Sequence, residues 1–166
     1  MSLGAPEFSR PLEARRVPKD GSIEKIAASP EECRALASRI GVPIIHALSA
    51  ELRAHPWRGG GIKLDGMLDA DLDQVSVVSG TTFRTRVKAP VERFFVPAGI
   101  AFDAGEADVD ELSDGLVDMG EVVAESLLLA IDPYPRLEGE RFGEVELPPV
   151  AGEGAAASPF ARLKGK

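Results

Sequence analysis

The stretch IKLDGMLDADLDQVSVVSGTTFRTRVKAPVERFFV, Ile62 to Val96, decides the fold. It opens on an alternation in which Ile62, Leu64, Leu68, Ala70 and Leu72 share one face while Lys63, Asp65, Asp69, Asp71 and Asp73 share the other. A period of two is that of a half-buried strand. Gly66, inside the run, marks a bulge or a close backbone contact. A second strand follows from Phe83 to Val96, and Ser79-Gly80 reads as a two-residue hairpin loop between them. Val78 then faces Thr81, and every facing pair has residue numbers summing to 159. This register sets Leu72 opposite Val87 and Ala70 opposite Ala89 on one face, with Asp73 opposite Arg86 and Asp71 opposite Lys88 on the other. Hydrophobic pattern, charge pattern and turn chemistry all select it.

Working outward, Ile44 to Trp57 has the same period, with Leu48, Ala50, Leu52 and Ala54 inward and Ser49, Glu51, Arg53 and His55 outward. Before it, SPEECRALASRIG is a helix. Ser29 caps, Pro30 suits the first helical position, Glu32 completes a capping box and Gly41 ends it. Cys33, Leu36, Ala37 and Ile40 form its apolar stripe, so Cys33 is a packing residue rather than a nucleophile. A strand within Phe8 to Val17 is expected to join the same sheet, with Pro11 favouring an edge. Residues 98 to 116 read as an acidic loop. A second helix then starts at Asp118, whose spacing to Glu121 matches a capping box, and buries Met119, Val122, Val123, Leu127, Ala130 and Ile131. It stops near Asp132, before Pro133.

The expected fold class is therefore α+β. A single domain over residues 5–147 holds a mainly antiparallel twisted sheet, or a partly open barrel, covered by two helices. Residues 148–166 follow as a Pro-, Gly- and Ala-rich linker and an extended C-terminal tail, in which Phe160 and Leu163 lie beside Arg162, Lys164 and Lys166.

Composition limits the possible functions. The chain has 166 residues, 44% of them hydrophobic, enough for one modest core. Its apolar runs fall short of a membrane span, and a lone cysteine, Cys33, fits a reducing compartment, so a soluble cytoplasmic protein with no membrane partner is expected. The net charge of −8 is unevenly distributed. Residues 1–102 carry 14 basic and 12 acidic side chains, residues 103–146 carry 2 and 14, and residues 147–166 carry 3 and 1. The acid is concentrated in one segment, which leaves the first half able to present a cationic face.

The chemistry-bearing motifs are few. Asp69, Asp71 and Asp73 have the opening spacing of a calcium loop, but Gln74 and Gly80 stand where that loop needs glycine and a bidentate acid. His46, His55 and Cys33 lack metal-ligand spacing. No nucleophile elbow, zinc-protease helix or phosphate loop occurs, so no enzyme and no cofactor is expected. The candidate for RNA contact is the row Arg84, Arg86 and Lys88, extended by Arg53, Lys63 and Arg93, although no aromatic residues are evidently interleaved with it. Candidates for a protein partner are Asp108, Asp110, Glu111 and Asp114 of the acidic segment, Tyr134 and Arg136 of the DPYPR stretch, and Phe160 and Leu163 of the tail. Of two readings of DPYPR, a contact point or a rigid turn that steers the chain back across the sheet, steering is the one expected.

Three separated segments carry a family resemblance. EFSRPLEARRVP near the start, VDMGEVVAESLLLAIDPYPR and the terminal SPFARLKGK resemble the YceD family, bacterial proteins named for accumulation of large-subunit ribosomal RNA, and the DPYPR end looks like its alphaproteobacterial branch. The order of helix, PWRGGGIKLDG strand and hairpin also fits, so the resemblance spans nearly the whole chain. Many relatives carry Cys-x-x-Cys at the hairpin turn, where this chain has Ser76 and Ser79, so no metal is expected there. The resemblance implies a role in making or stabilising the large ribosomal subunit, through its RNA or through a ribosomal protein, and the expected function is a non-enzymatic assembly factor that contacts the RNA with its basic sheet face. The alternative is an adaptor whose acidic segment holds a basic ribosomal protein.

Overall fold

Alternating strands that bury one face need a layer to cover it, and two amphipathic helices supply that layer. The computed structural model describes residues 5–100 and 109–141. In chain order these form β1 (Pro11–Glu13), β2 (Ser22–Ala27), α1 (Pro30–Ile40), β3 (Ile44–Trp57), β4 (Gly61–Val75), β5 (Thr82–Pro97), β6 (Val109–Leu112), β7 (Leu116–Asp118) and α2 (Met119–Ala130). The main sheet has the order β2-β3-β4-β5-β6, antiparallel throughout except that β6 runs parallel to β5. Its two ends, β2 and β6, do not pair, so among the described residues the sheet does not close into a barrel. The linker and tail expected over residues 148–166, with Phe160 and Leu163, lie outside the described residues, as does Asp108.

The inward sets are those the alternation predicts. Leu48, Ala50, Leu52 and Ala54 of β3 and Ile62, Leu64, Leu68, Ala70 and Leu72 of β4 are buried in one core with Cys33, Leu36 and Ala37 of α1 and Val122, Val123 and Leu127 of α2. Both helices therefore cover the same face of the sheet. Burial pushes the Cys33 thiol above its ordinary pKa, as a packing role requires. α1 begins with the expected reciprocal cap, Ser29 Oγ accepting from the Glu32 N–H and the Glu32 carboxylate accepting from the Ser29 N–H, and ends on Gly41 at a φ of 85°. Asp118 caps α2 by accepting from the Gly120 and Glu121 N–H groups. The reciprocal half is replaced, because the Glu121 carboxylate pairs with Arg39 of α1 at 2.6 and 2.9 Å.

Several expectations are corrected. The β4–β5 register pairs residues whose numbers sum to 157, so Asp71 faces Arg86, Asp69 faces Lys88 and Leu72 faces Thr85. The cause is the turn. Ser76 Oγ accepts from the Val78 and Ser79 N–H groups, and Gly80, at a φ of 71°, donates its N–H back to the Ser76 carbonyl. These bonds close a six-residue loop over 76–81 in place of a two-residue one. A slip of two residues keeps each side chain on its own face, which is why the inward set is unaffected. Gly66 is a close contact and not a bulge: a Cβ there would lie 2.0 Å from the Glu51 carbonyl oxygen. The N-terminal strand β1 pairs with β7 in a separate two-stranded sheet, not with the main one. Part of the supposed acidic loop is β6 and β7, and β2 is a strand that the sequence pattern does not announce.

Candidate nucleic-acid interface

The sheet face opposite the helices carries the odd-numbered side chains of β3 and β4 and the even-numbered ones of β5. Strand parity alone thus gathers Arg53, Lys63, Arg84, Arg86 and Lys88 on one side of the molecule. Arg84 grips Asp71 with two prongs, Nε to Oδ1 at 2.7 Å and the terminal nitrogen to Oδ2 at 2.5 Å. Arg86 grips Asp69 in the same way, also at 2.7 and 2.5 Å. Lys88 Nζ lies 3.6 Å from Asp69. Each arginine reaches diagonally past the residue directly across from it, as long side chains on a twisted sheet do. Asp73, left over at the end of the row, meets His46 Nε2 at 2.9 Å, where a bulge between Ile45 and Ala47 shifts β3.

These pairs shape the electrostatics. The arginine hydrogen bonds hold the Asp69 and Asp71 carboxyls below their ordinary pKa and raise the guanidinium pKa values in return. The guanidinium groups are nonetheless accessible, with side chains 61% and 65% exposed. Each fork is a bidentate, charge-assisted pair whose guanidinium edge remains reachable from solvent. Arg53 has no ion pair among the described residues.

Arg93 does not belong to this row. Its parity is that of Ala89 and Val91, so it points to the helix side, where it meets Asp110 of β6 at 2.6 Å and Glu125 of α2 at 3.2 Å. It is a joint between strand and helix. Position 94 has the outward parity, and there the structure places Phe94 against Trp57, the ring centroids 4.9 Å apart and the planes tilted by 50°. Lys63 Nζ sits 5.5 Å from the Phe94 centroid, and the Arg58 guanidinium, from the turn after β3, lies 6.0 Å from that of Trp57. Aromatic residues are thus present on a face where none was expected. In the 159 register Phe94 faces Asp65; the observed register sets it opposite Lys63, across β4 from Trp57. Strand parity is the signal that could have found it.

The protein-partner candidates are scattered. Asp110 is occupied by Arg93. Glu111 and Asp114 border a groove of about 520 Å³ between β6, β7 and the first turns of α2, with Asp118, Glu121 and Glu125 on its other wall. Asp118 is committed to its cap and Glu121 to Arg39, so much of this acid serves the fold. Tyr134 is 69% exposed, but the backbone around it is tied down. The Tyr134 N–H donates to Asp132 Oδ1 at 2.8 Å, Gln74 Nε2 to the Asp132 carbonyl at 3.0 Å, and the Val77 N–H to the Pro135 carbonyl at 2.9 Å. The DPYPR stretch, with exposed Arg136 at its end, is thereby steered across the β4–β5 turn.

At that turn Ser76 is the centre of a hydrogen-bond cluster. Ser76 Oγ donates to the Glu140 carboxylate, which also accepts from the Leu137 N–H at 3.0 Å. The serine hydroxyls, Ser76 foremost, hold Glu140 below its ordinary pKa. Among the described residues no group of three or more His, Cys, Asp or Glu side chains is placed to hold a metal, and no helix is long and apolar enough to cross a membrane.

Fold and site together define a two-layer α+β protein in which, among the described residues, helices cover one sheet face and not the other. No family model, curated protein or solved structure matches the chain.

Proposed function

We propose that this chain is a non-enzymatic factor in biogenesis of the large ribosomal subunit, and that the open face of its sheet contacts ribosomal RNA. The observation that carries this reading is the collection of Arg53, Arg84, Arg86 and Lys88 on the sheet face opposite both helices. Asp71 and Asp69 hold two guanidinium forks in the planar, two-pronged geometry that suits a phosphate, and the guanidinium edges remain reachable from solvent. The resemblance of three separated segments to the YceD family supports the pathway.

The adaptor reading is weaker because Asp110, Asp118 and Glu121 of the acidic groove already have internal partners. Crosslinking in cells, with recovery of both RNA and protein, tests the choice. The expected result is large-subunit ribosomal RNA joined to β4 and β5. A basic ribosomal protein joined through Glu111 and Asp114, with no RNA recovered, would favour the adaptor instead.

A further inference from the structure

Both helices end at one corner of the sheet they cover. α1 is closed by Gly41 and α2 by Ile131, and between these ends and the last residues of β4 lies a groove of about 280 Å³, walled by Ile40, Val42, Val75, Val77, Ile131 and Pro133. The walls are apolar yet reach solvent, Val75 being 42% and Val77 44% exposed. Asp132 is the one ionisable side chain among the described residues that line the groove. The helices bring their carbonyl ends here. α2 has no basic side chain in its last turn, and Arg39, the one in the last turn of α1, is held by Glu7 and Glu121. The rim is therefore negative, and it favours an apolar segment that carries cations.

We infer that the segment 158–166 of this same chain docks in the groove, with Phe160 and Leu163 on the apolar walls and Arg162 and Lys164 toward the helix ends. The stretch before Arg141 is fastened at this corner. The Val77 N–H donates to the Pro135 carbonyl, and Ser76 Oγ donates to the Glu140 carboxylate. Residues 142–157 can span up to about 50 Å, ample for a return to the groove. Residues 142–150 are closer in sequence but carry Glu144 and Glu146 and no cation, whereas 158–166 joins two large apolar side chains to Arg162, Lys164 and Lys166 and has no acid. A tether of this length also keeps the segment at a high effective concentration, so a modest contact suffices. The contact is independent of the RNA reading.

Cysteines placed in the full chain test it, Val77→Cys in the groove wall with Ala161→Cys in the segment, by the rate of disulfide formation under a mild oxidant. Cys33 is 3% exposed and stays out of the reaction. Val77→Cys with Gly152→Cys is the comparison, because chance collision favours the shorter loop. Docking is expected to close the 77–161 pair roughly tenfold faster than the 77–152 pair, at a rate independent of protein concentration. Adding Phe160→Asp is expected to remove that excess. A 77–161 pair no faster than the 77–152 pair, or an excess that survives Phe160→Asp, would overturn the proposal. Disulfides formed between chains, at a rate rising with concentration, would give the groove to a second copy and overturn it as well.

Discussion

At the scale of single residues, Gly66 lets β3 and β4 approach by having no side chain. A Cβ at that position would meet the Glu51 carbonyl oxygen at 2.0 Å and the Leu52 Cα at 2.9 Å, both backbone atoms that cannot swing aside. Gly66→Ala is expected to lower stability by about 1–3 kcal/mol, read from the urea midpoint; an unchanged midpoint would contradict the close approach. Glu32 carries a pH signature. Its carboxylate accepts from Arg10 at 2.8 and 2.9 Å and from the Ser29 N–H, and the Arg10 hydrogen bond above all lowers its pKa from 4.5 to about 2. A folded-state pKa below the unfolded one stabilises the protein fully above about pH 4.5, and this contribution is lost as pH falls toward 2. Glu32→Gln should therefore lower the thermal midpoint at pH 6 more than at pH 2, whereas an equal loss at both would contradict the assignment. Residue roles such as these are legible where parity or a cap fixes them. Arg93 shows what happens when charge is weighed without parity: its number shares the inward parity of Ala89 and Val91, and its basic side chain alone suggests the wrong face.

At the scale of elements, the caps and strands are readable because their signals are local. Ser29, Pro30, Glu32 and Gly41 bound α1 within its own short span, and the alternation of β3 and β4 sorts side chains without reference to any partner. The β4–β5 register departs by two residues from the sequence expectation because the loop is organised from outside itself. Ser76 is held by Glu140, far along the chain, and no turn preference at 79–80 contains that contact. The start of α2 has a similar distant tie. Asp118 accepts from the Gly120 and Glu121 N–H groups at 3.0 and 3.3 Å, but also from the Arg10 N–H at 2.7 Å and the Ser9 hydroxyl at 2.6 Å. It caps the helix and fastens the N-terminal segment in one group. Asp118→Ala is expected to cost about 1–2 kcal/mol and to speed amide exchange both in residues 9–13 and in the first turn of α2, leaving α1 protected. Faster exchange in α2 alone would show that the N-terminal segment is held by other means.

At the scale of the whole molecule, the two-layer α+β plan follows from the sequence pattern, and the pairing of distant pieces does not. β1 with β7, and β6 parallel to β5, join short segments whose own patterns are too brief to declare a partner. The candidate interface is half legible for the same reason: parity gathers the cations on one face, and the expected register already sets two of them opposite aspartates, but only the folded structure shows that the held pairs are Arg84 with Asp71 and Arg86 with Asp69 and that Trp57 and Phe94 meet at the other end. The central claim is that this open face, and not the helix-covered one, meets ribosomal RNA. Its most direct test is the salt dependence of RNA affinity for the full chain carrying Arg84→Gln, Arg86→Gln and Lys88→Gln together, compared with Arg34→Gln on exposed α1. If all three side chains meet phosphates of single-stranded RNA, the triple variant should bind more weakly. Its slope of log affinity against log salt should flatten by about 2, at roughly 0.7 for each phosphate no longer neutralised. The Arg34 variant should match the unaltered chain. A triple variant with unchanged affinity and slope, or an Arg34 variant with the larger loss, would contradict the account.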